Sequence, residues 1–179
     1  MKKSLLASLC VAALALTACD KKTNEAPASS ATTTQPVTAS LSSNNSADIK
    51  SDLDQIQMLS NKNSQEALGL QNKANQAAQK GDKAALTSTV AQMKTYINKF
   101  NQELDALKLK SSEVNVVRDK IKESNNLGIA LAETSLESSP DKQKVTELQN
   151  RAAQLQKELM TEMQALQNQV KTAPAKTAP

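Results

Sequence analysis

The sequence predicts an all-α protein: an antiparallel four-helix bundle with coiled-coil-like seams, preceded by a disordered tether. Three observations carry this. From Asp48 onward, apolar and small residues recur at alternating spacings of three and four, the signature of a helix face turned toward other helices. The same region is built from Leu, Ala, Gln, Lys, Glu and Asn, and the whole chain of 179 residues has only three Gly, which suits helix propensity. Finally, three punctuation points, Gly81-Asp82, Ser111-Ser112 and Ser139-Pro140, divide the periodic region into four stretches of similar length.

The chain begins with Lys2 and Lys3, followed by a mostly apolar run from Leu5 to Leu16. Twelve residues are too few to cross a membrane, which takes about 20. Charged Asp20, Lys21 and Lys22 follow at once. This is the anatomy of a signal peptide. The run closes on Leu16-Thr17-Ala18-Cys19, which resembles the lipobox of bacterial lipoproteins. The resemblance implies that the Cys19 sulfur receives a diacylglyceryl group. It also implies that cleavage falls between Ala18 and Cys19, and that the new amino group is acylated. Each buried CH₂ contributes roughly 0.8 kcal/mol and one acyl chain anchors only marginally, so two or three would hold the protein firmly. The alternative is an ordinary secretory signal with a chance Cys. In enterobacterial lipoproteins, Asp after the lipidated Cys favours inner-membrane retention; Asp20 fits, but Lys21 is not a strengthening residue, which leaves inner versus outer membrane open.

Residues 1–18 are thus expected to be a signal peptide and 19–47 a lipidated Cys with a linker. Residues 48–171 should form the bundle, and 172–179 a tail. The linker is rich in Ser, Thr, Ala, Asn and Pro without apolar periodicity, the composition of a disordered segment. Flexible-chain scaling gives it a reach of about 30 Å.

The first helix is expected from about Asp48 to Lys80. Its seam runs through Leu53, Ile56, Ser60, Asn63, Ala67, Leu70, Ala74 and Ala77. Ser60 and Asn63 are polar there, and are read as facing solvent rather than as a buried register device. Gly81 fits a helix C′ position and Asp82 an N-cap. The second helix, Lys83 to about Lys110, has the cleanest seam: Leu86, Val90, Met93, Ile97, Phe100, Leu104 and Leu107. It should be the centre of the core, with Phe100 the largest buried group and Tyr96 packing its ring while keeping its hydroxyl wet.

Ser111-Ser112 offer caps for a third helix running to about Ser138, with Glu113 in its first turn. Val114, Val117 and Ile121 begin its seam. Ser124, Gly128, Leu131 and Ser135 continue it weakly, and Leu127 and Leu131 form a second pair, so the register shifts near Asn125-Asn126. In Ser139-Pro140, Ser fits an N-cap and Pro the first helical position. The fourth helix then extends to about Val170 with seam residues Val145, Leu148, Ala152, Leu155, Leu159, Met163 and Leu166. Short breaks make neighbours antiparallel. A pair of helical hairpins that completes its core by dimerising is the rival architecture.

Composition restricts function. Removing residues 1–18 takes two of the 22 basic residues and none of the 18 acidic ones, so the mature charge is only about +2. With one Tyr and one Phe there is no stacking platform, and nucleic acid is not an expected partner. The chain has no His, which excludes His-ligated metal sites and His acid–base chemistry. Cys10 leaves with the signal and Cys19 takes lipid, so no disulfide forms in the mature monomer.

Glu158 and Glu162, and Asp119 and Glu123, are carboxylate pairs four residues apart; with Lys interspersed they read as a solvated charged face. Met58, Met93, Met160 and Met163 could suggest a soft-metal site, but Met93 and Met163 sit on seams, so core filling is the better reading. Lys94, Lys99, Lys108, Lys110, Arg118, Lys120 and Lys122 span the second break and could form a basic end for anionic headgroups. No catalytic residue, metal or cofactor is implied. The expected function is a lipid-anchored helical envelope protein that binds an envelope protein or itself, or plays a structural part. The alternative is a periplasmic carrier holding a lipid or other hydrophobic ligand between helices.

Overall fold

The computed structural model describes residues 40–172. They form four helices: α1 (Ser46–Lys80), α2 (Lys83–Asp105), α3 (Ser112–Leu136) and α4 (Lys142–Thr172). Paired side chains fix their directions. Lys62 meets Glu103 and Lys73 meets Gln92, so α1 and α2 run antiparallel. Lys94 with Glu133 and Lys122 with Asp105 do the same for α2 and α3. Lys120 with Glu162 and Arg151 with Glu123 do so for α3 and α4. α1 also packs on α4, which closes the expected helical bundle.

Local chemistry sets the helix ends. Asn45 caps α1 by accepting from the Ala47 and Asp48 amides at 3.1 and 3.3 Å. Gly81 takes a left-handed φ of 67° as α1 stops, and Asp82 caps α2 through the Ala85 amide at 2.9 Å. Both were legible in the sequence.

Two ends differ from expectation. α2 stops at Asp105, five residues before Lys110. Leu107 and Leu109 both pack against the core, and residues two apart cannot share one face of a helix. α4 starts at Lys142, so Ser139 and Pro140 precede it. Asp141 does the capping, accepting from the Gln143 and Lys144 amides at 2.9 and 3.2 Å. A carboxylate two residues downstream outcompetes the Ser139 hydroxyl, since anionic acceptors at a helix start gain from the helix dipole.

The core has two unequal parts. Where α1 begins and α4 ends, all four helices contribute, among them Ile49, Ile56, Leu104, Val117 and Leu155. The other end holds a smaller cluster of Leu70, Met93, Tyr96, Ile97 and Ile129, drawn from α1, α2 and α3. Phe100 is buried and stacks on Tyr96, with ring centroids 6.2 Å apart. The buried face of α3 changes from Val114 and Val117 to Ile129 and Ala132. The sequence expects a shift to Leu127 and Leu131 instead; Asn125 and Asn126, between the two halves, pair with Asn101 of α2. A side chain at Gly128 would meet nothing within 4 Å, so that Gly does not serve close helix approach.

Two polar residues depart from expectation. Asn63 is buried: its amide donates to the Leu59 carbonyl at 2.9 Å and to Glu103 at 3.0 Å. Both amide hydrogens have partners, so the group can leave water. Tyr96 does not keep its hydroxyl in solvent; it donates to the Asn63 carbonyl at 3.2 Å.

Candidate functional site

Ala18 and Cys19, the residues expected to be cleaved and lipidated, lie outside the described residues. Their neighbourhood in the chain nevertheless ends in a built feature, at the point where the N-terminal segment joins the bundle.

Asp52 stands on the core face of α1, three residues after Ile49 and four before Ile56, and is fully buried. Its Oδ2 accepts three hydrogen bonds from the α2–α3 turn: the Lys110 amide at 2.8 Å, the Ser111 amide at 2.7 Å and the Ser111 hydroxyl at 2.7 Å. Oδ1 lies 3.4 Å from the Gln55 amide nitrogen. No Lys or Arg pairs with it among the described residues. Ser111 therefore occupies the N-cap position of α3 without capping by its side chain; the hydroxyl is committed to Asp52.

The other edge of this turn holds the incoming chain. The Ser42 amide donates to the Lys110 carbonyl at 2.7 Å and the Ser112 amide donates to the Ser42 carbonyl at 2.9 Å, forming a parallel bridge with Ser111. The Ser42 and Ser112 hydroxyls add bonds to the same two carbonyls, at 3.1 Å each. Glu113 accepts from the Asn44 amide at 2.7 Å and the Ser43 hydroxyl at 3.2 Å. Asn44 adopts a φ of 58°, a left-handed conformation Asn tolerates, which turns the strap into the cap of α1. Residues 42–45 are thus fixed to the bundle, ahead of the Asp48 start read from the sequence.

The Asn44 amide holds the Glu113 carboxyl below the ordinary value of 4.5, with the Ser112 and Ser43 hydroxyls assisting. The sign follows from that direction. A lowered folded pKa contributes stability that is present above the ordinary value and lost as pH falls through the lowered one. Acidification below about 4.5 is expected to release protection of the Asn44 amide before the bundle unfolds. Hydrogen exchange measured against pH checks this, and Glu113→Gln should abolish the pH step.

The carboxylate pairs flagged in the sequence serve as helix clamps. Lys120 of α3 reaches Glu158 at 3.1 Å and also Glu162. The Lys120 ammonium keeps the Glu158 carboxyl below its usual range. Arg151 takes Glu123 at 2.6 Å, while Asp119 is exposed beside Arg118. No three His, Cys, Asp or Glu side chains gather to hold a metal among the described residues.

The supposed basic end is in part neutralised. Lys94, Arg118, Lys120 and Lys122 are each matched by an acidic side chain. Met93 and Met163 are core residues, whereas Met58 and Met160 are exposed at 71% and 59%, so the four thioethers do not converge. A shallow depression lined by Asp119, Glu123, Asn126, Leu127 and their neighbours belongs to α3 alone. The sequence missed Asp52, although its place on the Ile49–Ile56 stripe was visible in the spacing.

No helix among the described residues is long and apolar enough to cross a membrane. No curated protein and no solved structure matches the chain significantly. A family model described as uncharacterised lipoprotein PM1805 matches residues 50–171. That stretch is the bundle, and it excludes Leu16-Thr17-Ala18-Cys19, so the match and the lipobox resemblance are independent pointers to the same class. On the strength of a match spanning more than half of its length, the chain belongs to the uncharacterised lipoprotein PM1805 family.

Proposed function

We propose that this lipoprotein is a non-enzymatic, protein-binding or structural module of the cell envelope, held at a membrane by lipid on Cys19. The observation that carries the reading is the strap. Residues 42–45 are bonded to the α2–α3 turn, so a lipidated N-terminal segment joins the bundle at that end and no other. A hydrophobe carrier would need an apolar space between helices; the depression lined by Asp119, Glu123 and Leu127 lies on one helix. The ion pairs are spent on joining helices rather than gathered around a reacting centre.

Two measurements test this. Cys19→Ser should move the full chain from the membrane fraction to the soluble one and remove palmitate labelling; unchanged membrane fractionation would remove the anchor from the scheme. Photocrosslinkers placed on exposed helix positions in intact cells should yield discrete adducts from one face. Diffuse adducts from every face would contradict a binding module.

A further inference from the structure

α4 is held unevenly along its length. Its C-terminal part buries Leu155, Leu159, Met163 and Leu166, at the three- and four-residue spacing of one helix face. From Lys142 to Gln154 it fully buries nothing. Val145, Leu148 and Ala152 continue the same face but stay half-buried. The far cluster is built by α1, α2 and α3 without them.

Polar contacts divide at the same place. Arg151 pairs with Glu123, and Glu158 and Glu162 share Lys120. Ahead of Arg151, α4 bonds to no other helix among the described residues. Gln143 reaches Glu147 and Thr146 reaches the Lys142 carbonyl, both within α4. Asp141 caps the first turn. α3 does not lean on this stretch to stay in place: Ile129 packs with Leu70, Met93 and Ile97, and Glu133 pairs with Lys94.

We propose that residues 142–150 are an opening unit, which unwinds and rewinds as one piece while the rest of the bundle stays folded. A helix this short does not persist alone in water, where about 12–15 residues are needed. Its order rests on the Asp141 cap and the half-buried Val145 and Leu148. Melting from this end meets its first cross-helix bond at Arg151 and its first fully buried side chain at Leu155. Those two residues set the boundary, since local openings stop where buried contacts begin. In the open form the α3–α4 connection lengthens from 137–141 to 137–150. The strap, Asp52 and the four-helix core lie at the other end and are undisturbed. The bundle therefore has a firm half where the N-terminal segment enters and a yielding half away from it. This goes beyond the module reading and holds whatever the module binds.

Hydrogen exchange of the detergent-extracted full chain, followed by mass spectrometry at peptide resolution, tests it. The amides of 146–150 should exchange at least a hundredfold faster than those of 159–166, while remaining slower than an unfolded chain. Low urea should accelerate 159–166 and leave 146–150 unchanged, because the local opening exposes little surface. Leu166→Ala removes packing that persists in the open form. It should speed exchange at 159–163 more than tenfold and leave 146–150 as in the parent. If the two stretches exchange alike, or speed up together in the variant, α4 opens only as a whole and the proposal falls. Exchange of 146–150 at the unfolded rate also overturns it, since the unit would never close. Should Leu166→Ala lose its helices, the parent's urea series decides alone, and equal urea dependence of the two stretches is the adverse result.

Discussion

Asp52→Ala should destabilise the protein by about 3–5 kcal/mol in urea unfolding of the Cys19→Ser chain. One oxygen serves three donors, and each buried donor left without a partner costs about 1–3 kcal/mol. The Lys110 amide lies nearer solvent and can recover water, which keeps the total at the lower end of the sum. Asp52→Asn keeps an acceptor oxygen in place, so its cost should be smaller, about 1–2 kcal/mol. The two variants together separate hydrogen bonding from charge. A local readout sharpens the test: loss of Asp52 should free the Ser111 and Ser112 amides to exchange and, through the Ser42–Ser111 bridge, the strap as well. If Asp52→Ala melts like the parent, the carboxylate does not organise the turn.

Leu155→Ala should cost about 3–4 kcal/mol. Leu155 is 1% exposed and belongs to the cluster that all four helices build. Removing three carbons there loses their transfer energy and leaves a cavity that neighbours on three other helices cannot fill. Leu148→Ala, two turns earlier on the same helix, should cost about 1 kcal/mol or less, because that residue is only half-buried. The ratio of the two effects reports how unevenly α4 is held along its length. Equal costs would mean that the far half of α4 is packed as tightly as the near half.

The legible parts of the sequence were those decided locally. The α2 seam was apolar at each position through Leu104, and its residues are buried. Gly81 and Asp82 act within a single turn, and both do what their types favour. The parts that escaped are decided by contacts distant along the chain. Asp52 reads as a solvated helix residue until its donors, 58 and 59 residues away, are brought to it. The end of α2 was hidden by good helix formers, yet Leu107-Lys108-Leu109-Lys110 alternates with period two, an extended pattern. That alternation was the available signal. Ser42 and Asn44 sit in a stretch whose composition suits disorder, and only the carbonyls of the turn and the Glu113 carboxylate give them a fixed place. The expected lipidation of Cys19 rests on its motif alone.

The parallel bridge at Ser42 has a mechanical consequence. If the bundle is held through its N-terminal segment, as proposed, any pull on it is transmitted through the strap. Tension arriving along the chain reaches Ser42 before it reaches the first turn of α1, and passes across the bridge into the α2–α3 turn. The load is shared between two places far apart in sequence, so α1 is not peeled away turn by turn from its end. Asp52 ties the loaded turn back to α1, which closes the path of force within the part of the molecule where the four helices pack most completely.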